Sequence, residues 1–149
     1  MITIIFESLV AFVADALFAV LLQSPKRSIF HIGLTGAAGW FVFLIGMEFF
    51  DKVVATLLAS LTIALLSQYF ARILKTPTTI YFLPAFFPLV PGEGIYRAVF
   101  AFIDGDYSTA TVYLNGAILV SGSIAVAIFL VDSIFNLQAR LKVISLSKK

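Results

Sequence analysis

The sequence contains no cysteine, and its 149 residues include one histidine, His31. The absence of cysteine excludes disulfide bonds, thiolate metal ligands and cysteine nucleophiles. A single histidine also excludes a histidine-rich metal centre, and the sequence shows neither a Ser/His/Asp set nor a paired-aspartate protease motif. We therefore expect no enzymatic activity and no cofactor.

Charged residues are scarce as well: they make up 12% of the chain, whereas 61% of the residues are hydrophobic. About 20 apolar residues are needed for a helix to cross a hydrocarbon core of roughly 30 Å. Five runs are long enough: Ile2–Leu22, Ile29–Phe50, Val53–Ala71, Thr79–Ile103 and Thr111–Val131. The pattern predicts an all-α integral membrane protein of five transmembrane helices, a single domain over residues 1–149 in the inner (cytoplasmic) cell membrane.

The first run is interpreted as a transmembrane helix of the mature protein. A cleaved signal peptide has basic residues before its apolar core, but none precedes Ile2, and Glu7 and Asp15 lie inside the run. The first basic pair, Lys26-Arg27, follows the run instead.

The distribution of basic residues predicts the orientation. Eight of the ten lie in the connections after runs one, three and five: Lys26, Arg27, Arg72, Lys75, Arg140, Lys142, Lys148 and Lys149. Because short cytoplasmic connections are enriched in Lys and Arg, the N-terminus is expected outside and the C-terminus in the cytoplasm. The alternative, a re-entrant pair formed by runs four and five, would bury Asp104 and Asp106 at membrane depth, which is costly.

Run four is interrupted near its midpoint by Pro84, Pro88 and Pro91-Gly92. Proline lacks an N–H and blocks the hydrogen bond to the carbonyl four residues earlier, so we predict a helix broken near the bilayer midplane. The carbonyls expected to be free are those of Ile80, Pro84 and Phe87.

The predicted break suggests a binding site for a small charged solute. If the second half restarts at Pro91-Gly92, its first-turn N–H groups and positive dipole end favour a carboxylate, while free carbonyls suit an ammonium group. The alternative is a proline kink that neighbouring helices fill, with no role in binding.

Charged residues at membrane depth give two further hypotheses. Glu93 and Arg97 are spaced i, i+4, so Arg97 either pairs with Glu93 and extends outward, or reaches Asp104, or attracts an anionic substrate while Glu93 exchanges a proton. Asp15 lies in run one on a stripe of small and polar residues. It is either a proton or cation site or a carboxylate that is hydrogen-bonded to a neighbouring helix or to a partner protein. The other members of the stripe are Ser8, Ala11 and Ala19.

Two segments resemble a known family. Pro88-x-x-Pro91-Gly92 followed by Tyr96 looks like the proline-glycine motif in the penultimate helix of the threonine/serine exporter family. Pro25-x-Arg27, followed by Gly36 and Gly39, is similar to that family's first inner loop and second helix. The five-helix length matches the family's small membrane subunit or C-terminal membrane domain. Glu93 and Arg97 depart from the family pattern, which has no charge there.

The resemblance implies an incomplete transporter. Split members of the family, which include a proposed bacterial succinate exporter, need a larger subunit with its own membrane helices and a cytoplasmic region. We therefore expect the small subunit of an exporter of threonine/serine or of a dicarboxylate such as succinate, driven by the proton gradient. Lipid, the larger subunit and further copies of the chain are the expected partners, and nucleic acid is not. Two alternatives remain: a homo-oligomeric channel or carrier acting alone, and a non-transporting membrane scaffold or assembly subunit.

Overall fold

The structure is a computed structural model that describes the backbone of residues 2–147 and the side chains of residues 2–137. This part of the chain is built of helices joined by short connections, and it contains no strand. It contains α1 (Ile2–Leu21), α2 (Lys26–Phe49), α3 (Lys52–Leu74), α4 (Thr79–Ala85), α5 (Gly92–Ile103) and α6 (Tyr107–Ser147), and a 3₁₀ turn over Phe87–Leu89 links α4 to α5. Four of these helices are long and apolar enough to span a membrane, and α4 with α5 adds a fifth if the bent pair counts as one span.

Four of the predicted runs each overlap one helix, and the fourth run, Thr79–Ile103, covers α4, the 3₁₀ turn and α5; the helix boundaries differ from the run boundaries. The largest difference is in α6, which extends over Tyr107–Ser147 where the apolar run covers Thr111–Val131. Apolar residues identify the part that fits in hydrocarbon, whereas a helix continues until local chemistry stops it. Thus α3 begins after Asp51, whose side chain accepts a hydrogen bond from the Val53 N–H, and it ends at Lys75, which has a left-handed backbone conformation.

The helices pack in the order α1, α2, α3, α6, α5, and α4 lies across α1, α2 and α3. Glycines on α2 permit the closest approaches. A Cβ on Gly33 would lie 2.9 Å from the Phe12 carbonyl oxygen of α1, and a Cβ on Gly39 would overlap Ile63 of α3. In lipid, such small residues let helix backbones approach and gain packing energy.

Hydrogen bonds between side chains help to hold α4 against α2 and α3 against α6. The buried Tyr81 hydroxyl of α4 lies 3.1 Å from the Ser28 hydroxyl of α2 and accepts a hydrogen bond of 3.0 Å from Thr76. Gln68 of α3 donates to Asp132 of α6 over 2.6 Å. The first contact holds α4 against α2, and the second joins α3 to α6.

Candidate functional site

The predicted break is present in the fourth span. Helix α4 ends at Ala85, the chain passes through the 3₁₀ turn, and α5 begins at Gly92, with a bend of 41° between the two parts. Each proline has a different position: Pro84 lies inside α4, Pro88 lies in the turn, and Pro91 precedes α5. The proline at each of these positions has no N–H and so removes one helical hydrogen bond. The interruption therefore extends over several residues.

The restart of α5 follows from the backbone of Pro91. Its φ of −77° and ψ of 51° form an inverse γ-turn, in which the Gly92 N–H donates to the Val90 carbonyl over 2.8 Å. The first helical hydrogen bond of α5 then runs from the Ile95 N–H to the Pro91 carbonyl over 3.1 Å.

The expectation of three free carbonyls is wrong for Phe87. Its carbonyl accepts the Val90 N–H over 3.3 Å, and the Phe86 carbonyl accepts the Leu89 N–H over 2.9 Å. In a 3₁₀ turn, a carbonyl accepts a hydrogen bond from the N–H three residues later. Such bonds replace the α-helical bonds from the N–H four residues later, which a proline at that position cannot donate. The polar character of the break therefore lies mainly at the start of α5 rather than at the end of α4.

The start of α5 is open. Among the described residues, no side chain caps its first turn, and a Cβ on Gly92 would have no atom from another part of the chain within 4 Å; Gly92 and Glu93 are exposed. The end of the break towards α4 is different, because Ala85, Phe86 and Leu89 are buried against Ala59 and Ile63 of α3. One end of the break is thus packed as a kink would be, and the other end is accessible.

The predicted charged pair borders a groove between α5 and α6. Arg97 donates from Nη2 and Nε to Glu93 Oε1 over 2.8 and 2.9 Å, and its Nη1 lies 3.5 Å from the Tyr113 hydroxyl of α6. The groove has a volume of about 530 Å³, and Tyr96, Asp104 and Asp106 also line it. The Arg97 and Glu93 side chains are 54% and 72% exposed, so the pair lies at the surface of the described chain.

The environment of Asp15 differs from that of the charged pair. Asp15 is fully buried together with Ala11 and Ala19 on the predicted stripe, and neither carboxyl oxygen has a hydrogen-bond partner among the described residues. A Cβ on Gly36 of α2 would overlap this carboxyl group. A hydrogen bond from Asp15 to a neighbouring helix is therefore not observed in the described part of the chain, and a hydrogen bond to a partner protein stays a prediction.

The structure divides the predicted site residues into two groups. Glu93, Tyr96 and Arg97 lie together in the α5–α6 groove. Asp15 belongs to α1, which packs against α4 and the 3₁₀ turn and borders the other side of the break. Pro84 and Pro88 line cavities next to α1.

Sequence analysis did not identify Glu7 or Gly36 as candidate site residues. Glu7 lines a cavity together with Pro88. In the sequence, it could have been noticed as an acidic residue about two helical turns before Asp15. Gly36 is the residue against which Asp15 packs. No sequence pattern points to that contact, because it depends on how α1 and α2 are aligned.

Comparison with known proteins identifies a family. The family model described as Threonine/Serine exporter, ThrE matches residues 7–134, a range that contains every predicted site residue. No curated protein and no solved structure matches the chain.

Proposed function

The chain belongs to the threonine/serine exporter family, and from this membership we propose that it is the small subunit of a secondary transporter exporting small carboxylate metabolites. The proposed substrates are threonine and serine or a dicarboxylate such as succinate, and the proposed location is the inner cell membrane. Membership of a transporter family and several apolar helices support a multi-pass membrane protein that moves solutes rather than one that performs a covalent reaction.

The observation that carries the proposal is the restart of α5 at Gly92 beside a paired Glu93 and Arg97. The N-terminus of a helix attracts a carboxylate through its free N–H groups and its dipole, and broken helices supply such ends in transporters. A substrate carboxylate at this end would compete with Glu93 for Arg97. Glu93 would then be free to take a proton.

The surroundings of α5 support a role as one part of a larger assembly. Within the described residues, α5 packs mainly on α6, and its charged pair lies on the open side of that contact. Charged side chains that face hydrocarbon are unfavourable, so such a face calls for protein or water. We propose that the larger membrane subunit of the exporter covers it. A homo-oligomeric carrier would cover it with a second copy, and a non-transporting scaffold would cover it with an unrelated membrane protein.

Purification and deletion separate these three candidates. The tagged chain is extracted from its native membrane in mild detergent, and export of labelled threonine, serine and succinate is measured in cells with and without it. A stable complex with a larger membrane protein, together with lost export on deletion, agrees with the proposal. A single-chain oligomer that transports in vesicles contradicts it in favour of the carrier. Wild-type export after deletion contradicts it in favour of the scaffold.

We further propose that Asp15 carries the coupling proton. A buried carboxyl group without a hydrogen-bond partner is unfavourable in the ionised form, so its proton would leave and return only as α1 moves relative to α2. Asp15→Asn keeps the shape and cannot ionise. It should leave the protein folded and inserted but slow efflux driven by a pH gradient in proteoliposomes.

The matched control for Asp15→Asn is Glu48→Gln, which neutralises an exposed acid at the end of α2. This control should keep the parent response to the pH gradient. Normal efflux with a normal pH dependence in Asp15→Asn would assign Asp15 to structure instead.

A further inference from the structure

A groove with a basic residue at one end lies between α1 and α2. Its lining residues belong to these two helices and to the connection between them, and its volume is about 670 Å³. We call it the Lys26 groove, because Lys26, the first residue of α2, is part of its lining.

Most of the Lys26 groove is apolar. On α1 the apolar lining residues are four apart, so they form one stripe along the helix. The apolar residues of the two helices are Phe12, Ala16, Val20, Ile29 and Phe30. Phe12 and Phe30 are in edge-to-face contact, with 5.6 Å between ring centroids, and so join α1 to α2 at the end of the groove far from Lys26.

The other end of the groove is polar, and it forms where the chain turns from α1 into α2. Gln23 has a left-handed backbone conformation with φ of 56°, and the Ser24 N–H donates to the Ala19 carbonyl over 2.9 Å. These two features end α1, and Gln23 and Ser24 then line the groove together with Lys26. Among the side chains that the structure describes, Lys26 forms no salt bridge.

The length of the groove corresponds to one leaflet of a bilayer. The lining runs from Phe12 to Gln23, which at 1.5 Å per helical residue is about 16 Å. This is about half of a hydrocarbon core of roughly 30 Å. Lys26 lies on the side that the basic residues predict to be cytoplasmic, where a long lysine side chain can extend to the membrane surface. The groove therefore has the polarity and the length of a lipid molecule.

The charge of the groove indicates which class of lipid it would bind. The α5–α6 groove has three acidic residues beside one arginine, whereas the Lys26 groove has a lysine and no acidic residue in its lining. The Gln23 amide and the Ser24 hydroxyl can also donate hydrogen bonds to phosphate oxygens. The cytoplasmic leaflet carries anionic lipids, and each nearby lysine attracts them.

We propose that the Lys26 groove binds an anionic phospholipid of the cytoplasmic leaflet, with its phosphate at Lys26 and one acyl chain along Ala16 and the Phe12–Phe30 pair. This site goes beyond the proposed export function and does not depend on it. A lipid bound there contacts both α1 and α2, so it should stabilise the folded protein.

The test compares two lipids with the same acyl chains: anionic phosphatidylglycerol and phosphatidylcholine, which has no net charge. The full chain is purified in mild detergent, washed free of native lipid and titrated with each lipid. Native mass spectrometry measures binding, and the fluorescence of Trp40 follows thermal unfolding. The parent should bind phosphatidylglycerol about fivefold more tightly than phosphatidylcholine, and phosphatidylglycerol should raise its melting temperature more.

The phosphate contact is tested with Lys26→Gln. This variant should bind phosphatidylglycerol about fivefold more weakly than the parent does and should lose the preference between the two lipids. Lys75→Gln is the matched control, because Lys75 is an exposed lysine on the same predicted side of the membrane but outside the lining of the groove. This control should keep the parent preference.

The acyl-chain contact is tested with Ala16→Leu, which fills part of the apolar lining. This variant should bind both lipids more weakly by the same factor and should keep the preference for phosphatidylglycerol. Ala14→Leu is the matched control, since Ala14 is exposed on the same helix and lies outside the groove. It should bind both lipids as the parent does.

Equal binding of the two lipids by the parent would overturn the proposal. An equal loss of preference in Lys26→Gln and Lys75→Gln would also overturn it, because it would show unspecific attraction of anionic lipid. Binding of neither lipid, as expected if a helix of another protein fills the groove, would contradict it as well. Glycerophosphate, a headgroup without acyl chains, should not displace the lipid at equal concentration. Full displacement, with no effect of Ala16→Leu, would assign the groove to a soluble anion instead.

Discussion

The two halves of the broken span, α4 and α5, belong to one apolar run of the sequence but have different surroundings. Helix α4 is held by three helices, and its Tyr81 is fully buried in a hydrogen-bonded contact with α2. Helix α5 packs mainly on α6 and presents Glu93, Tyr96 and Arg97 to an open groove. The difference indicates that α4 anchors the span, while α5 carries the exposed chemistry. Substitutions on the two sides of the break should therefore separate into effects on stability and effects on export.

The largest loss of stability is expected from Gly36→Ala, in the contact between α1 and α2, the two helices on which α4 packs. The added methyl group would overlap the Asp15 carboxyl group, and overpacking of this kind costs about 1–3 kcal/mol. Thermal unfolding in detergent, followed by the fluorescence of the single tryptophan Trp40, measures the change. Adding Asp15→Ala should recover most of the loss, because it removes the group that is overlapped. A double variant no more stable than Gly36→Ala would show that the two residues are not in contact.

The contact between Asp15 and Gly36 also shows what sequence analysis could not predict. The polar and small stripe of α1 identified a buried face, and prolines identified the break, because both signals are local. Which glycine faces Asp15 depends on the alignment of two helices, and no local pattern contains that information. The donor to the Phe87 carbonyl belongs to a 3₁₀ turn, which the spacing of the prolines does not predict, and the cavity beside Glu7 forms only when α1 packs on that turn.

The next largest loss of stability is expected from Tyr81→Phe, at the anchor of α4. The change removes a hydroxyl group that contacts Ser28 and Thr76, and a lost buried hydrogen bond costs about 0.5–1.5 kcal/mol. The same melting experiment measures it. Tyr69→Phe is the control. Tyr69 is 60% exposed, so removal of its hydroxyl group should leave the melting temperature unchanged. Equal melting temperatures for Tyr81→Phe and the parent would mean that α4 is not held by this contact.

A smaller effect is expected from Asp106→Ala, at the connection that leads from α5 into α6. The Asp106 carboxylate accepts hydrogen bonds from Thr109, and these lower its pKa below the ordinary value of 3.8. Because the folded-state pKa is lowered, the ionised group stabilises the start of α6 above pH 3.8, and this contribution is lost as the pH falls through the lowered value. Asp106→Ala should slightly lower the melting temperature at pH 7, and the difference from the parent should vanish in acid. A difference that persists at low pH would exclude this cap.

The smallest effect on stability is expected from Arg97→Gln, in the open groove. Exposed ion pairs contribute little, so its melting temperature should match that of the parent. The export activity of the same variant should differ from its stability. If Arg97 contacts the substrate carboxylate, Arg97→Gln should impair export strongly in a fully stable protein. A drop in melting temperature comparable to that of Gly36→Ala would contradict the division between an anchored α4 and an open α5.

The most direct test of the central claim is export by the double variant Pro91→Ala with Gly92→Leu. These changes restore a backbone donor and favour a continuous helix, which would enclose the N–H groups at the start of α5. Gly116→Leu is the control, because Gly116 also has open space beside it but lies within continuous α6. The account predicts a melting temperature equal to or above that of the parent, export reduced to the level of empty membranes, and normal export by the control. Export at the parent rate by the double variant, at equal abundance in the membrane, would show that the break is a packing kink and would contradict the proposed site.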